Sequence, residues 1–190
     1  MPTHKPSQPA QSAQLSRIKI FVSAHKPAVF PDCASILPIQ VGAANAEAAG
    51  KPLFENTLHD NTGDNISEKN PMYCELTAQY WAWKNADADY YGFYRRYFDF
   101  TTTEHKQNSY GEIIDTAINA ESIAEYGLDD AAIAQAVEGW DVITTPLNNV
   151  REFDGFTNLK DHWDADPHLQ LKDLRHMYDV LCAMHPDYRE

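Results

Sequence analysis

Four runs of β-forming residues, centred near positions 20, 39, 91 and 143, are separated by stretches long enough to hold helices. Strands spaced in this way are joined by crossovers, and a crossover returns the chain parallel to the strand it left. The spacing predicts an α/β fold with a mostly parallel sheet flanked by helices. Ile18–Ala24 (IKIFVSA) is a nearly continuous apolar run, the pattern of a strand covered on both faces. His25-Lys26-Pro27 ends it, because Pro27 has no N–H to give a ladder. Ile36–Val41 reads as a second short strand, Tyr90–Tyr94 as a third and Asp141–Thr145 (DVITT), closed by Pro146, as a fourth.

Between the second and third strands the sequence predicts a surface loop and then a helix. Asp60–Ser67 holds turn formers and no apolar run. Met72–Lys84 has no internal Gly or Pro, and Pro71 suits its first turn. Tyr73, Leu76, Tyr80 and Trp83 recur at helical spacing, which predicts that they form its buried face. Gly42–Gly50 is a loop or a weak helix; it lacks the glycine spacing and the Lys-Ser/Thr of a phosphate-binding loop. Past Phe98 a polar stretch leads to a short helix around Ile113, Ala117 and Ile118. A further helix starts at the N-cap Asp129 and carries Ile133, Ala136, Val137 and Trp140. Asn148–Asp166 reads as a long loop, and His168–Met184 as a last helix with Leu171, Leu174, Tyr178 and Leu181 on its core face. The first 16 residues are polar and proline-containing, a disordered leader to one domain over residues 17–190.

A formal net charge of −13 argues against general nucleic-acid or anionic-membrane binding, which needs a basic surface. It leaves room for a small anionic ligand at a local cluster drawn from Lys26, Lys69, Lys84, Arg95 and Arg96. The three cysteines, Cys33, Cys74 and Cys182, form no CxxC pair, so a reducing cytoplasm is the expected setting. Cys74, early in the central helix, reads as a small buried hydrophobe. No run approaches the ~20 apolar residues of a spanning helix.

The residues that carry chemistry cluster around the third strand. Arg95 and Arg96 follow it at once, and ligands of open α/β sheets bind outside the carboxyl ends of strands. One of the pair is placed to hold a phosphate group bidentately; the alternative is an ion pair with one of the many acids. Tyr94 is placed to stack on a ring, or to pack in the core. Asp87-Ala88-Asp89 precedes the strand rather than following it and reads as a solvated turn. Asp60, Asp64 and Asn65 form a second polar cluster, read either as ligand contacts or as Asx turns. Asn70 stands at the head of the helix, and Glu75 one turn in, where a carboxylate meets a ligand or favours the helix N-terminus. His25 and Lys26 sit at the first strand's exit.

IKIFVSAHK, PIQVGAA, DNTGDNIS, KNPMYCELTAQYWAWKN, DADYYGFYRRYF and WDVITTP, taken together, resemble the family known as domain of unknown function 4422 over Ile18 to Tyr188. The resemblance implies a GT-A-type glycosyltransferase of capsular or exopolysaccharide synthesis. It implies a nucleotide-sugar donor, UDP-sugar first, a glycan or lipid-linked acceptor, and a cytoplasmic place with peripheral membrane association. It makes Asp64 and Glu75 candidate general bases, and His25, Lys26, Asp60, Asn65, Asn70, Tyr94, Arg95 and Arg96 candidate substrate contacts. GT-A enzymes commonly hold a divalent cation on Asp-x-Asp after a strand. Tyr94-Arg95-Arg96-Tyr97 takes that position here, which points to a site without metal ligands, with Mn2+ or Mg2+ as the alternative. The family usually has two more residues before Tyr94 and continues beyond the last helix, so a shortened member, or a binding module that has lost transfer, is the competing expectation.

Overall fold

A computed structural model describes residues 17–95, 97–108, 111–145, 149–152 and 155–189. They group into two compact units, divided after Asp141, and each stands by itself below.

The first unit is built on a four-stranded, all-parallel sheet: β1 (Ile18–Ala24), β2 (Ile36–Gln40), β3 (Leu58–His59) and β4 (Tyr90–Tyr94), in the order β3-β2-β1-β4. Ile20 pairs with Ile36 on one side of β1 and with Gly92 on the other. The alternation of side chains along β1 splits the core in two. Ile18, Ile20 and Val22 pack with Ile36, Leu128 and Ile133 on one face, and Phe21 packs with Ile39, Val41, Ala78 and Ala82 on the other. The parallel α/β class expected from the spacing is the observed one.

The helices of this unit are α1 (Ala43–Ala48), α2 (Asn70–Tyr73), α3 (Leu76–Asn85), α4 (Ala120–Glu125) and α5 (Asp130–Val137). The glycine-flanked segment after β2 is thus the weak helix of the two alternatives. Asp129 caps α5 through the amides of Ala131 and Ala132, as expected. The carboxylate of Asp130 takes the Cys33 thiol at 3.2 Å and the amides of Ala34 and Ser35 at 3.0 and 2.8 Å, pinning the entry to β2.

Several expectations need correction. The predicted Met72–Lys84 helix is two helices, because Cys74 between them has φ +48° and ψ −128°, outside any helical well. Cys74 is exposed rather than buried. The aromatic stripe faces outward: Tyr73 is 45% exposed, Leu76 48% and Trp83 69%. The face laid on the sheet is Thr77, Ala78 and Ala82, small residues that let helix and sheet approach closely. The segment with Ile113 and Ile118 is irregular; the helix waits for Asn119, whose side chain forms a capping box with Ser122.

Asp141–Thr145 is no strand. All five residues are exposed and without a ladder, since β propensity supplies no pairing partner. In the second unit, Asn148–Asp166 is not one long loop: it holds a 3-10 turn, Val150–Glu152, and α6 (Leu159–Ala165), capped by Asn158. The last helix, α7 (Leu171–Met184), buries Cys182 under the Pro186–Tyr188 turn. Tyr178 and Leu181, from the expected core stripe, stay 48% and 41% exposed; Tyr178 reaches the turn through its hydroxyl, which donates to the Tyr188 carbonyl at 3.2 Å. Among the described residues no helix is long and apolar enough to cross a membrane.

Candidate functional site

From β1 the chain moves outward through β2 to β3, then returns to place β4 on the opposite side of β1. The strand order therefore reverses between β1 and β4, and a parallel sheet leaves a crevice outside the carboxyl ends of strands at such a point. Those ends carry His25 and Lys26 after β1 and Arg95 after β4, all exposed. Arg95 has no ion pair among the described residues, so its guanidinium is open to solvent and to an anion. Arg96 lies outside the described residues. Tyr94 packs against the Ile18–Ile133 core with Phe98 at 4.7 Å, and burial pushes its hydroxyl up to about 12. The core reading of Tyr94 is the one its geometry fits.

Asp60, the residue after β3, is fully buried. One oxygen accepts from the Gly42 amide at 2.9 Å and the Thr77 hydroxyl at 2.6 Å; the other accepts from the Ala43 amide at 3.0 Å and the Ser67 hydroxyl at 2.5 Å. Four donors from three segments satisfy a charge that would otherwise be costly to bury. A side chain so enclosed acts on a ligand only through what it positions. Asn70 joins the same network, donating to the Cys74 carbonyl at 2.8 Å and to the Thr77 hydroxyl at 3.3 Å. Gly42 has φ +68°, and a Cβ there would stand 2.7 Å from the Asn70 Oδ1, so the turn after β2 needs glycine twice over.

Above Gly42 opens a cleft of about 290 Å3, lined by His25, Gln40, Gly42, Asn45, Lys51 and Phe54 among others. None of its lining residues is acidic, in a chain of net charge −13. The wall at Phe54 is fixed at both ends of the peptide: its amide donates to the Gln40 Oε1 at 2.7 Å, and its carbonyl meets His59 Nε2 at 3.0 Å. Gln40, Lys51 and Phe54 escape a reading of the sequence. The one available signal is Gln40 itself, a polar residue inside an apolar strand.

Asp64, Asn65 and Arg95 do not line this cleft. Asn65 closes its own loop, donating to the carbonyls of Asn61 and Gly63 and accepting from the Ser67 amide, as an Asx turn does. Asp64 is exposed and takes the Tyr80 hydroxyl at 3.1 Å, while Asn85 clamps its backbone from α3. Glu75, half-buried at the N-terminus of α3, makes no side-chain cap. The Asp-x-Asp pair does not fit a metal: Asp89 is held bidentately by Arg17, whose guanidinium draws its carboxyl below the usual range. Lys84 lies 3.6 Å over the Trp83 ring, on the outer face of α3.

A parallel sheet whose order reverses beside an exposed arginine, with an acid-free cleft at the carboxyl ends of β1 and β2, defines an α/β domain of the open, parallel-sheet class. The chain belongs to the family described as domain of unknown function (DUF4422), whose family model matches residues 19–190. Among solved structures it is similar to one described as the WbbM bifunctional glycosyltransferase in its apo form, with 36% sequence identity and a TM-score of 0.81. That likeness covers 90% of this chain and 30% of the other, so the chain spans about a third of that protein's length. No curated protein matches.

Proposed function

We propose that this chain is a glycosyltransferase domain that takes a sugar from a nucleotide diphosphate donor to a glycan or lipid-linked acceptor in cell-surface polysaccharide synthesis. The observation that carries the reading is the likeness to a bifunctional glycosyltransferase over nine-tenths of this chain. The geometry agrees with it. The acid-free cleft offers Phe54 as a flat apolar wall and His25 and Lys51 for a nucleoside and its first phosphate. Arg95, unpaired at the switch point, takes the diphosphate and offsets the charge that builds on it as the glycosidic bond breaks. Asp64 or Glu75 serves as general base on the acceptor hydroxyl. We assign the diphosphate to arginine rather than to Mn2+ or Mg2+, because Asp89 is spent on Arg17 and Asp60 is buried under four donors.

A thermal-shift screen against nucleotide-sugars, with and without Mn2+, tests the proposal, since a ligand of the native state raises its stability by mass action. A shift with one nucleotide family and not with free sugars is expected. No shift with any of them contradicts it. A second reading, a binding module without transfer, draws on the expectation that the family carries two more residues before Tyr94. It predicts the same shift with no release of nucleotide when acceptor glycans are added.

A further inference from the structure

We infer that Gln40 selects the base of the donor by donating a hydrogen bond from its Nε2 to a ring oxo group. The inference rests on the reading of the site as one for nucleotide-activated sugars. Gln40 is 3% exposed, at the carboxyl end of β2, and lines the cleft. Its amide can be oriented by chemistry alone. The Phe54 backbone N–H, 2.7 Å away, can only donate, so the atom facing it is Oε1. Nε2 is then the outward end, and no described residue accepts from it. Among the described residues it is not one of the fully enclosed polar atoms that lack a partner, so it keeps some access to the cleft that Gln40 lines. A buried amide with one half locked and the other half offered to a cavity presents a donor of fixed direction.

The simpler role for Gln40 is to anchor the Lys51–Phe54 wall. Anchoring uses Oε1 only and leaves the Nε2 donor turned to the cleft, where it bonds whatever fills it, water or an accepting ligand atom. A cleft of about 290 Å3, at the low end of small-molecule sites of roughly 300–1,000 Å3, has room for a pyrimidine base and its ribose but not for a whole nucleotide-sugar. With the diphosphate on Arg95, as proposed above, the base enters the cleft first and the ring edge opposite the ribose meets the buried Gln40. On uracil that edge carries the 4-oxo acceptor. On cytosine it carries an amino donor, which would face another donor.

Gln40→Glu separates the two roles. A Glu side chain keeps an oxygen for the Phe54 N–H, so the wall stays anchored, but it presents an acceptor to the cleft instead of a donor. The experiment is calorimetric titration of UDP and CDP into wild type and Gln40→Glu at about pH 8, with melting curves of both proteins. The added negative charge weakens both nucleotides alike, so the ratio of their affinities is the readout. We expect wild type to prefer UDP by about tenfold, the value of one hydrogen bond to a buried group, and Gln40→Glu to erase or invert that preference. 4-Thio-UDP, whose sulfur accepts poorly, gives a reading on wild type alone in case the variant fails to fold: its binding should be several-fold weaker than that of UDP. Equal binding of UDP, CDP and 4-thio-UDP to wild type, or an unchanged preference in a folded Gln40→Glu, overturns the role of Gln40 and leaves the donor site standing. No binding of any nucleotide to wild type overturns both.

Discussion

Asp60 concentrates more of this structure than any other side chain. Read from the sequence it is one acid among several in a turn-rich loop, and a ligand contact is as natural for it as a turn. In the fold it is buried, because β3 is only two residues long and delivers it under Gly42, Ala43, Ser67 and Thr77. No local pattern announces that, since its four donors lie up to 18 positions away. Replacing Asp60 with Ala strands those donors, and we expect a loss of about 3–5 kcal/mol in a denaturant titration. A change below about 1 kcal/mol would mean that the network is not the anchor described. Cys74 is the opposite case, a residue that works against its own backbone. A φ of +48° with ψ of −128° suits glycine, and other residues pay about 1–3 kcal/mol there. Gly restores some chain entropy to the unfolded state, so the net effect of Cys74→Gly is a gain of about 1 kcal/mol, or about 2–4 °C in melting temperature. A lower melting temperature would show that the thiol makes a compensating contact.

At the scale of elements, strand and helix types were largely legible, and faces were not. The spacing of Tyr73, Leu76, Tyr80 and Trp83 is helical, but Cys74 leaves Tyr73 on α2, and α3 turns Leu76 and Trp83 outward. The sheet presents Phe21, Ile39 and Val41, and only small side chains fit between these and the helix axis. Periodicity finds a stripe; whether the sheet takes that stripe or the one of Thr77, Ala78 and Ala82 is a matter of volume. Trp83→Ala should therefore cost less than about 1 kcal/mol, mostly its contact with Lys84, while Ala82→Leu should cost about 1–3 kcal/mol by overpacking. The reverse order in urea unfolding would restore the aromatic face as core. DVITT failed for a related reason: its composition is that of a strand, but pairing is decided by a neighbour the sequence does not display. The α5 cap, by contrast, was readable, because Asp129 acts on amides two and three residues away. Asp130 carries a pH dependence. Burial alone would raise its carboxyl, but the hydrogen bonds from Ser35, Cys33 and Ala34 together outweigh that and hold it below the usual range. A carboxyl lowered in the folded state adds stability above its ordinary value and loses it as pH falls through the folded one. The stability gap between wild type and Asp130→Asn should thus be full near pH 7 and shrink below about pH 4. The Cys33 thiol runs the other way: burial pushes it up to about 11, so its contribution is present up to the ordinary thiol value and fades as pH climbs toward 11. Urea midpoints across that pH range check both signs.

On the scale of the molecule, sheet order decides where chemistry can happen. Four β runs of the sequence, three of them strands in the fold, were enough to expect a parallel sheet, and with it a ligand edge at the carboxyl ends of strands. The two-residue β3 was invisible, and with it the cleft that the loop before it, Lys51 to Phe54, helps to enclose. The strand reversal beside β1 brings the exits at His25 and Arg95 onto one edge, and the account assigns that edge to a nucleotide diphosphate held by arginine. The diphosphate adds roughly two negative charges to a chain already at −13, so local cations must offset them, Arg95 first among them in the proposed site. Calorimetric titration of UDP into wild type and Arg95→Ala, each with and without EDTA, measures this directly. Loss of a charge-assisted hydrogen bond costs about 1.5–3 kcal/mol. On this assignment Arg95→Ala binds UDP about ten- to a hundredfold more weakly, and EDTA changes neither protein. Binding abolished by EDTA, with Arg95→Ala matching wild type, would contradict it.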